Sequence, residues 1–181
     1  MEDPEVPMEH VQKHIEEHAH ASGEKWMAVV ALSTAIIAVL AAIASLLAGD
    51  HANEAMISQI QSANQWNYYQ AKGIKSGLLV SKDELLAALG KTPEKADLGK
   101  IQDYAREQKE IRETAENCEK TAENHLRAHV TLARGVTLFQ ISIAIAAICL
   151  LTRRRAFFGA VLATGAVGLF FLVQAILNFR G

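Results

Sequence analysis

Between Trp26 and Gly49 the chain runs for about 24 residues, WMAVVALSTAIIAVLAAIASLLAG, without one charged side chain. A helix rises about 1.5 Å per residue, so such a run covers the roughly 30 Å hydrocarbon core of a bilayer. Lys25 precedes it, Trp26 stands where an interfacial aromatic belongs, and Asp50 follows it. A secretory signal competes for the same stretch. A signal's apolar region is shorter, however, and its leader is positively charged, whereas MEDPEVPMEHVQKHIEEHAH is acidic. The run is expected to stay in the protein as a membrane span.

Two further apolar runs lie near the other end, Gly135–Thr152 (GVTLFQISIAIAAICLLT) and Ala156–Phe179. Only Arg153, Arg154 and Arg155 separate them, so they are expected to pair as an antiparallel hairpin. Both are apolar on every side, which a soluble two-helix core is not. The stretch between the first and second runs is rich in Glu, Lys, Gln and Asn. The chain as a whole is 50% hydrophobic and 6% aromatic, an average over two unlike materials. The sequence therefore predicts an all-α membrane protein with three transmembrane helices at residues 25–49, 133–152 and 156–179. A long antiparallel, coiled-coil-like helical hairpin fills residues 50–132 between spans one and two, and a polar His-rich segment occupies 1–24. Three prolines in 181 residues favour long unbroken helices, since proline removes a backbone donor and clashes inside a helix. A net charge of −2 gives no footprint for nucleic acid. Cys118 falls in a polar segment and Cys149 in an apolar one, so no internal disulfide is expected.

The first span carries a second pattern. Ala28, Ala31, Ala35, Ala38, Ala42, Ser45 and Gly49 recur in alternating steps of three and four, a heptad seam of small side chains. In lipid, burying leucine gains little, and helices associate by the close approach that small residues permit. Span two repeats the rhythm with Ala133, Thr137, Gln140, Ala144 and Ala147. Span three offers Gly159, Ala163 and Ala166 on one row and Ala160, Thr164 and Gly168 on another. Three helices do not readily use so many small-residue faces, so the seam predicts packing within the unit and homo-oligomerisation beyond it. Gln140 and Gln174 place amides inside apolar spans, for interhelical hydrogen bonds or a hydrated pathway. No acid, lysine or histidine lies deep in any span, which argues against a proton-driven transporter.

In the polar segment Met56, Ile60, Ala63, Gln70, Ile74, Leu78, Leu85 and Leu89 fall near heptad spacing on the outgoing arm. Ile101, Gln108, Ala115, Ala122 and His129 do so on the returning one. Gly90 suits a helix C-cap, with Thr92 as the next N-cap and Pro93 as the first helical residue, so the turn falls near 90–93. Each arm is about 40 residues, or roughly 60 Å. Gly73 and Gly77 are its weakest points. With Gln59, Gln70 and Gln108 inside, the seam is thin, and the arms are expected to need neighbouring copies or another protein partner. Trp66, Tyr68 and Tyr69 form either a packing cluster or a contact patch.

Chemistry is sparse. His10, His14 and His18 would form one ridge of a helix, a spacing that suits a transition metal such as Zn²⁺ but leaves its coordination incomplete. His51, with Glu54 a turn away, and His125 and His129 are expected near the membrane surface. They would form an interfacial hydrogen-bond cluster or a metal site. The chain lacks a nucleophile elbow, a phosphate loop, a CxxC pair and an HExxH motif, so neither an enzyme nor a bound cofactor is expected.

Several long strings, EKWMAVVALSTAIIAVLAAIASLLAG, HANEA, WNYYQAKGIK, HLRAHVTLARGVTLFQISIA and LTRRR, together span nearly the whole chain. In them the protein resembles the bacterial membrane family called domain of unknown function 4337. The resemblance implies three spans with an intervening helical region, and no activity.

Arg153–Arg155 in so short a loop should stay cytoplasmic. The N-terminus would then be cytoplasmic and the hairpin periplasmic, in a bacterial inner membrane. The leading expectation is a homo-oligomeric structural or interaction assembly with the bilayer and its own copies as partners. A channel or transport accessory protein using Gln140 or Gln174 is the second reading. A metal- or pH-responsive protein using its histidines is the third.

Overall fold

The computed structural model describes residues 25–92 and 94–180. It contains three helices, α1 (Lys25–Ala88), α2 (Lys95–Thr152) and α3 (Ala156–Arg180), with no strand among the described residues. The first two reach 64 and 58 residues because no proline falls inside either; the three prolines are Pro4, Pro7 and Pro93. Gly73 and Gly77 interrupt nothing, and α1 runs through both.

Gly90 ends α1 as expected. It takes φ +72°, which glycine adopts without the steric cost of a Cβ. Its N–H donates to the Ala87 carbonyl at 3.0 Å, and Lys91 N–H reaches back to Leu86 at 2.8 Å, the paired bonds of a Schellman motif. The start of α2 differs from expectation. The helix opens at Lys95, where Asp97 N–H donates to the Glu94 carbonyl at 2.9 Å, two residues later than capping by Thr92 would put it. Asp97 in the first turn complements the helix dipole; Pro93 lies outside the described residues. The tight link between α2 and α3 turns on Arg153 at φ +52°, a left-handed conformation unusual for a side chain with a Cβ.

The chain divides into two compact units. One combines the described residues up to His51 with those from Arg127 onward. Its core joins Val30, Ile37, Ala41, Ala44 and Ala48 of α1 to Leu132, Phe139, Ile143, Ala146 and Cys149 of α2 and Val161, Leu172 and Ala175 of α3. Glycines bring the backbones together. A Cβ on Gly168 would stand 2.9 Å from the Phe139 ring and 3.3 Å from the Gly135 carbonyl. One on Gly165 would meet Ile37 Cδ1 at 3.1 Å and Ser142 Oγ at 3.5 Å. Each helix carries a stretch long and apolar enough to cross a membrane. Only 33%, 39% and 22% of those stretches, in chain order, is buried inside the chain. Most of the apolar surface therefore points outward, at Leu32, Ile36, Leu46, Leu151, Phe170 and Leu177 among others.

The second unit is Ala52–Leu126. Ser62 Oγ bonds the Ala115 carbonyl (3.1 Å), Gln108 Nε2 bonds the Tyr69 carbonyl (3.1 Å), and Lys82 pairs with Asp97. The separation along the chain shrinks towards the turn, as in an antiparallel pair. The returning seam is as expected, with Ala115 and Ala122 buried and Ile101 and Gln108 half-buried. The outgoing seam is not. Met56, Ile60, Ala63, Gln70, Ile74, Leu78, Leu85 and Leu89 are all exposed, as is Gln59, and Leu78 is 67% exposed. The inward row is instead Ala55, Ser58, Ser62, Tyr69, Gly73, Ser76, Leu79 and Leu86. Small residues win because they let the helices approach closely enough for Ser62 and Gln108 to reach backbone carbonyls across the interface. A row of Ile and Leu would hold them apart. Gly73 belongs to this row for the same reason: a Cβ there would sit 2.9 Å from Gln108 Nε2.

Gly168→Ala should lower the thermal midpoint, by about 1–3 kcal/mol of overpacking against Phe139 and the Gly135 backbone. Gly77→Ala meets nothing within 4 Å and should raise it by up to about 1 kcal/mol. Thermal unfolding followed by circular dichroism in detergent checks both signs.

Candidate interaction surfaces

The small-residue stripe of α1 and the row that packs inside its unit are neighbours one residue apart. The buried row is Met27, Val30, Thr34, Ile37, Ala41, Ala44 and Ala48. Beside it, Ala31, Ala35 and Ala38 are half-buried, and Ala28, Ala42, Ser45 and Gly49 are exposed. One residue is about 100° of helix rotation, so the stripe forms a flank of the internal seam and stays largely open. Span three divides likewise: Gly159, Ala163 and Ala166 are exposed, while Ala160 and Thr164 are half-buried and Gly168 is buried.

Gln140 and Gln174 are half-buried, and no hydrogen bond joins the Gln140 amide to another described residue. Gln174 lies two residues past Leu172, a neighbour of Gly135, and so nearer the His129 end of the unit than its middle. The cross-helix bonds are made by Ser142, which the sequence did not flag, and by His129, which it assigned to an interfacial hydrogen-bond cluster or a metal site. Ser142 Oγ, fully buried, donates to the Val161 carbonyl at 2.7 Å. His129 Nδ1 lies 2.8 Å from the Ala48 carbonyl, so it carries the proton and donates, tying α1 to α2. At the opposite end of α1, the Arg155 guanidinium stands 5.4 Å from the Trp26 ring centre, a cation–π contact that ties α1 to the start of α3. Serine is common enough in helices that only the register reveals Ser142 as a cross-link.

In the second unit the aromatic cluster is largely engaged. Trp66 Nε1 donates to Glu119 at 2.8 Å and its ring meets Tyr69 edge-on at 5.6 Å, while Tyr68 is exposed. Lys72 pairs with Glu107, with its ammonium 5.2 Å from the Tyr68 ring centre and 5.0 Å from that of Tyr104. The Glu107 bond, helped by Tyr68, raises the Lys72 pKa above its ordinary value despite opposing desolvation. The Asp97 bond does the same for Lys82. Asp97 is buried beneath that lysine. The Asp83 carboxylate oxygens are also buried, with no hydrogen-bond partner among the described residues.

His10, His14 and His18 lie outside the described residues. Among the described residues no three His, Cys, Asp or Glu side chains gather in a group that could hold a metal, so His51, His125 and His129 form no such group with their acidic neighbours.

A lysine whose folded pKa is raised stabilises the fold fully below its unfolded value. That contribution is lost as pH rises through the folded one. The thermal midpoint should therefore fall more steeply above pH 10.5 in the wild type than in a Lys72→Met/Lys82→Met variant. Equal slopes in circular-dichroism melts would contradict this.

No curated protein and no solved structure matches the chain. The sequence model of one family, described as a domain of unknown function (DUF4337), matches residues 26–178, which takes in all three apolar stretches and the whole second unit. The chain belongs to that family.

Proposed function

We propose that the protein is an integral membrane protein that self-associates in the bilayer as a structural or interaction assembly. The observation that carries this is the Gln140 amide, set in the apolar stretch of α2 with no hydrogen bond to another described residue. In hydrocarbon there is no water to satisfy it, and a neighbouring helix is the available partner. The open stripe at Ala28, Ala42, Ser45 and Gly49 supports the reading, since it offers a second copy the close approach that lipid-embedded helices need. The outward apolar surface of all three stretches supports insertion itself, because water would penalise it over its full length.

Arg153, Arg154 and Arg155 favour a cytoplasmic α2–α3 link. The N-terminus is then cytoplasmic and residues 50–132 periplasmic, in a bacterial inner membrane. An impermeant thiol reagent should label the half-buried Cys118 in intact cells. Protection until lysis would reverse the orientation.

In mild detergent or nanodiscs the native mass should be a multiple of 19.7 kDa. Gln140→Leu combined with Ala42→Leu should shift it towards one copy, each lost interhelical bond being worth about 1 kcal/mol. A wild-type protein that is monomeric in nanodiscs would sink the proposal.

A further inference from the structure

We infer that the outward face of α1 in the second unit is a seam on which α1 of a second copy docks, parallel and in register. Positions 57, 60, 64, 67, 71, 74, 78, 81, 85 and 88 alternate steps of three and four for nine successive intervals, and every one is exposed. This is the heptad pattern of two helices wound on each other, on the side away from the row that packs against α2. Ile57, Ile60, Ile74, Leu78 and Leu85, with Leu89 just past the helix end, are between 48% and 67% exposed.

The size of the face suits a dimer. Six such side chains leave on the order of 700 Å² open, near the roughly 800 Å² each partner contributes to a standard interface. The partner is another α1 rather than α2. Over residues 52–88 the only charges are Glu54, Lys72, Lys75, Lys82, Asp83 and Glu84, and none of them occupies the row. The outward face of α2 is instead dense in charge, part of it paired along its own helix as Arg106–Asp103 and Arg112–Glu116. That is the pattern of a solvated surface.

Asn64 and Asn67 interrupt the apolar row near its start. On lipid they would be two amides without partners. In a parallel in-register pair each meets its own counterpart, and a single interior Asn is enough to set register in paired helices. Parallel alignment follows from topology, since copies inserted in one orientation send α1 out of the bilayer in one direction. This inference rests on the membrane-assembly reading and adds the surface on which the copies meet.

The test is cysteine cross-linking in native membranes, in a Cys118→Ser/Cys149→Ala background. Single cysteines replace Leu78 or Leu85 in the row, Glu113 on the outer face of α2, or Ser45 in the apolar stripe. Mild oxidation should convert Leu78→Cys and Leu85→Cys to a species of twice 19.7 kDa, several-fold more efficiently than Glu113→Cys. Cross-linking through Ser45→Cys, with none at Leu78→Cys and Leu85→Cys, would overturn the seam and leave the assembly standing. No cross-link anywhere, with a monomeric native mass, would overturn both. An adduct of any other mass would assign the row to a different protein. A fluorophore on Leu78→Cys quenched by nitroxide-bearing lipid would assign it to the bilayer surface. Either result refutes the seam.

Discussion

The three-helix unit depends on the backbone approach at Gly135, Gly165 and Gly168. At Gly168 a single added carbon would collide with Phe139 and crowd the Gly135 carbonyl; at Gly165 it would press on Ile37 from the facing helix. At so close an approach, dispersion and a few buried hydrogen bonds supply much of the packing energy. The Ser142–Val161 bond lies beside Gly165, at the same close approach. The Phe139 ring fills the space that Gly168 vacates, and is itself fully buried.

The second unit solves the same problem in a polar setting. Up to residue 76 its inward row is mostly Ala, Ser and Gly, with Leu79 and Leu86 only towards the turn, so the helices meet through Ser62, Gln108, Trp66 and Lys72 and their partners across the pair. A two-helix pair so poor in buried apolar area gains little from the hydrophobic effect. Specific bonds across it fix register, and the aliphatic side chains that would strengthen a core are turned outward, at Ile74, Leu78 and Leu85. One helix thus carries two faces of different character, a small polar one that is used and an apolar one that is open.

Both units use glycine and small residues for approach, but only some of each row is occupied. In α1 the seam that packs within its unit and the open alanine stripe differ by one residue of register. In α3 Gly168 is buried while Gly159, Ala163 and Ala166 are open. Among the described residues Gln140 makes no hydrogen bond, whereas Ser142 and His129 make cross-helix links.

The sequence by itself determined the helices. The uncharged runs, the absence of proline from residues 25–92 and Gly90 between the arms dictated three long helices and their turns, because backbone bonding within a helix is local. The returning seam at Ala115 and Ala122 was legible for the same reason: its row of α2 is free of charge and carries Ile111. What only the tertiary structure decided is which row of α1 faces inward. Two rows of heptad spacing coexist on it, an exposed one carrying Ile and Leu and one mostly of Ala, Ser and Gly that continues into Leu79 and Leu86, and periodicity cannot rank them. The choice is made by the distance at which the facing helix settles, which depends on Gln108, Ser62 and Gly73 meeting across the interface. That distance belongs to pairs of residues 35 to 53 positions apart, and no local pattern encodes it.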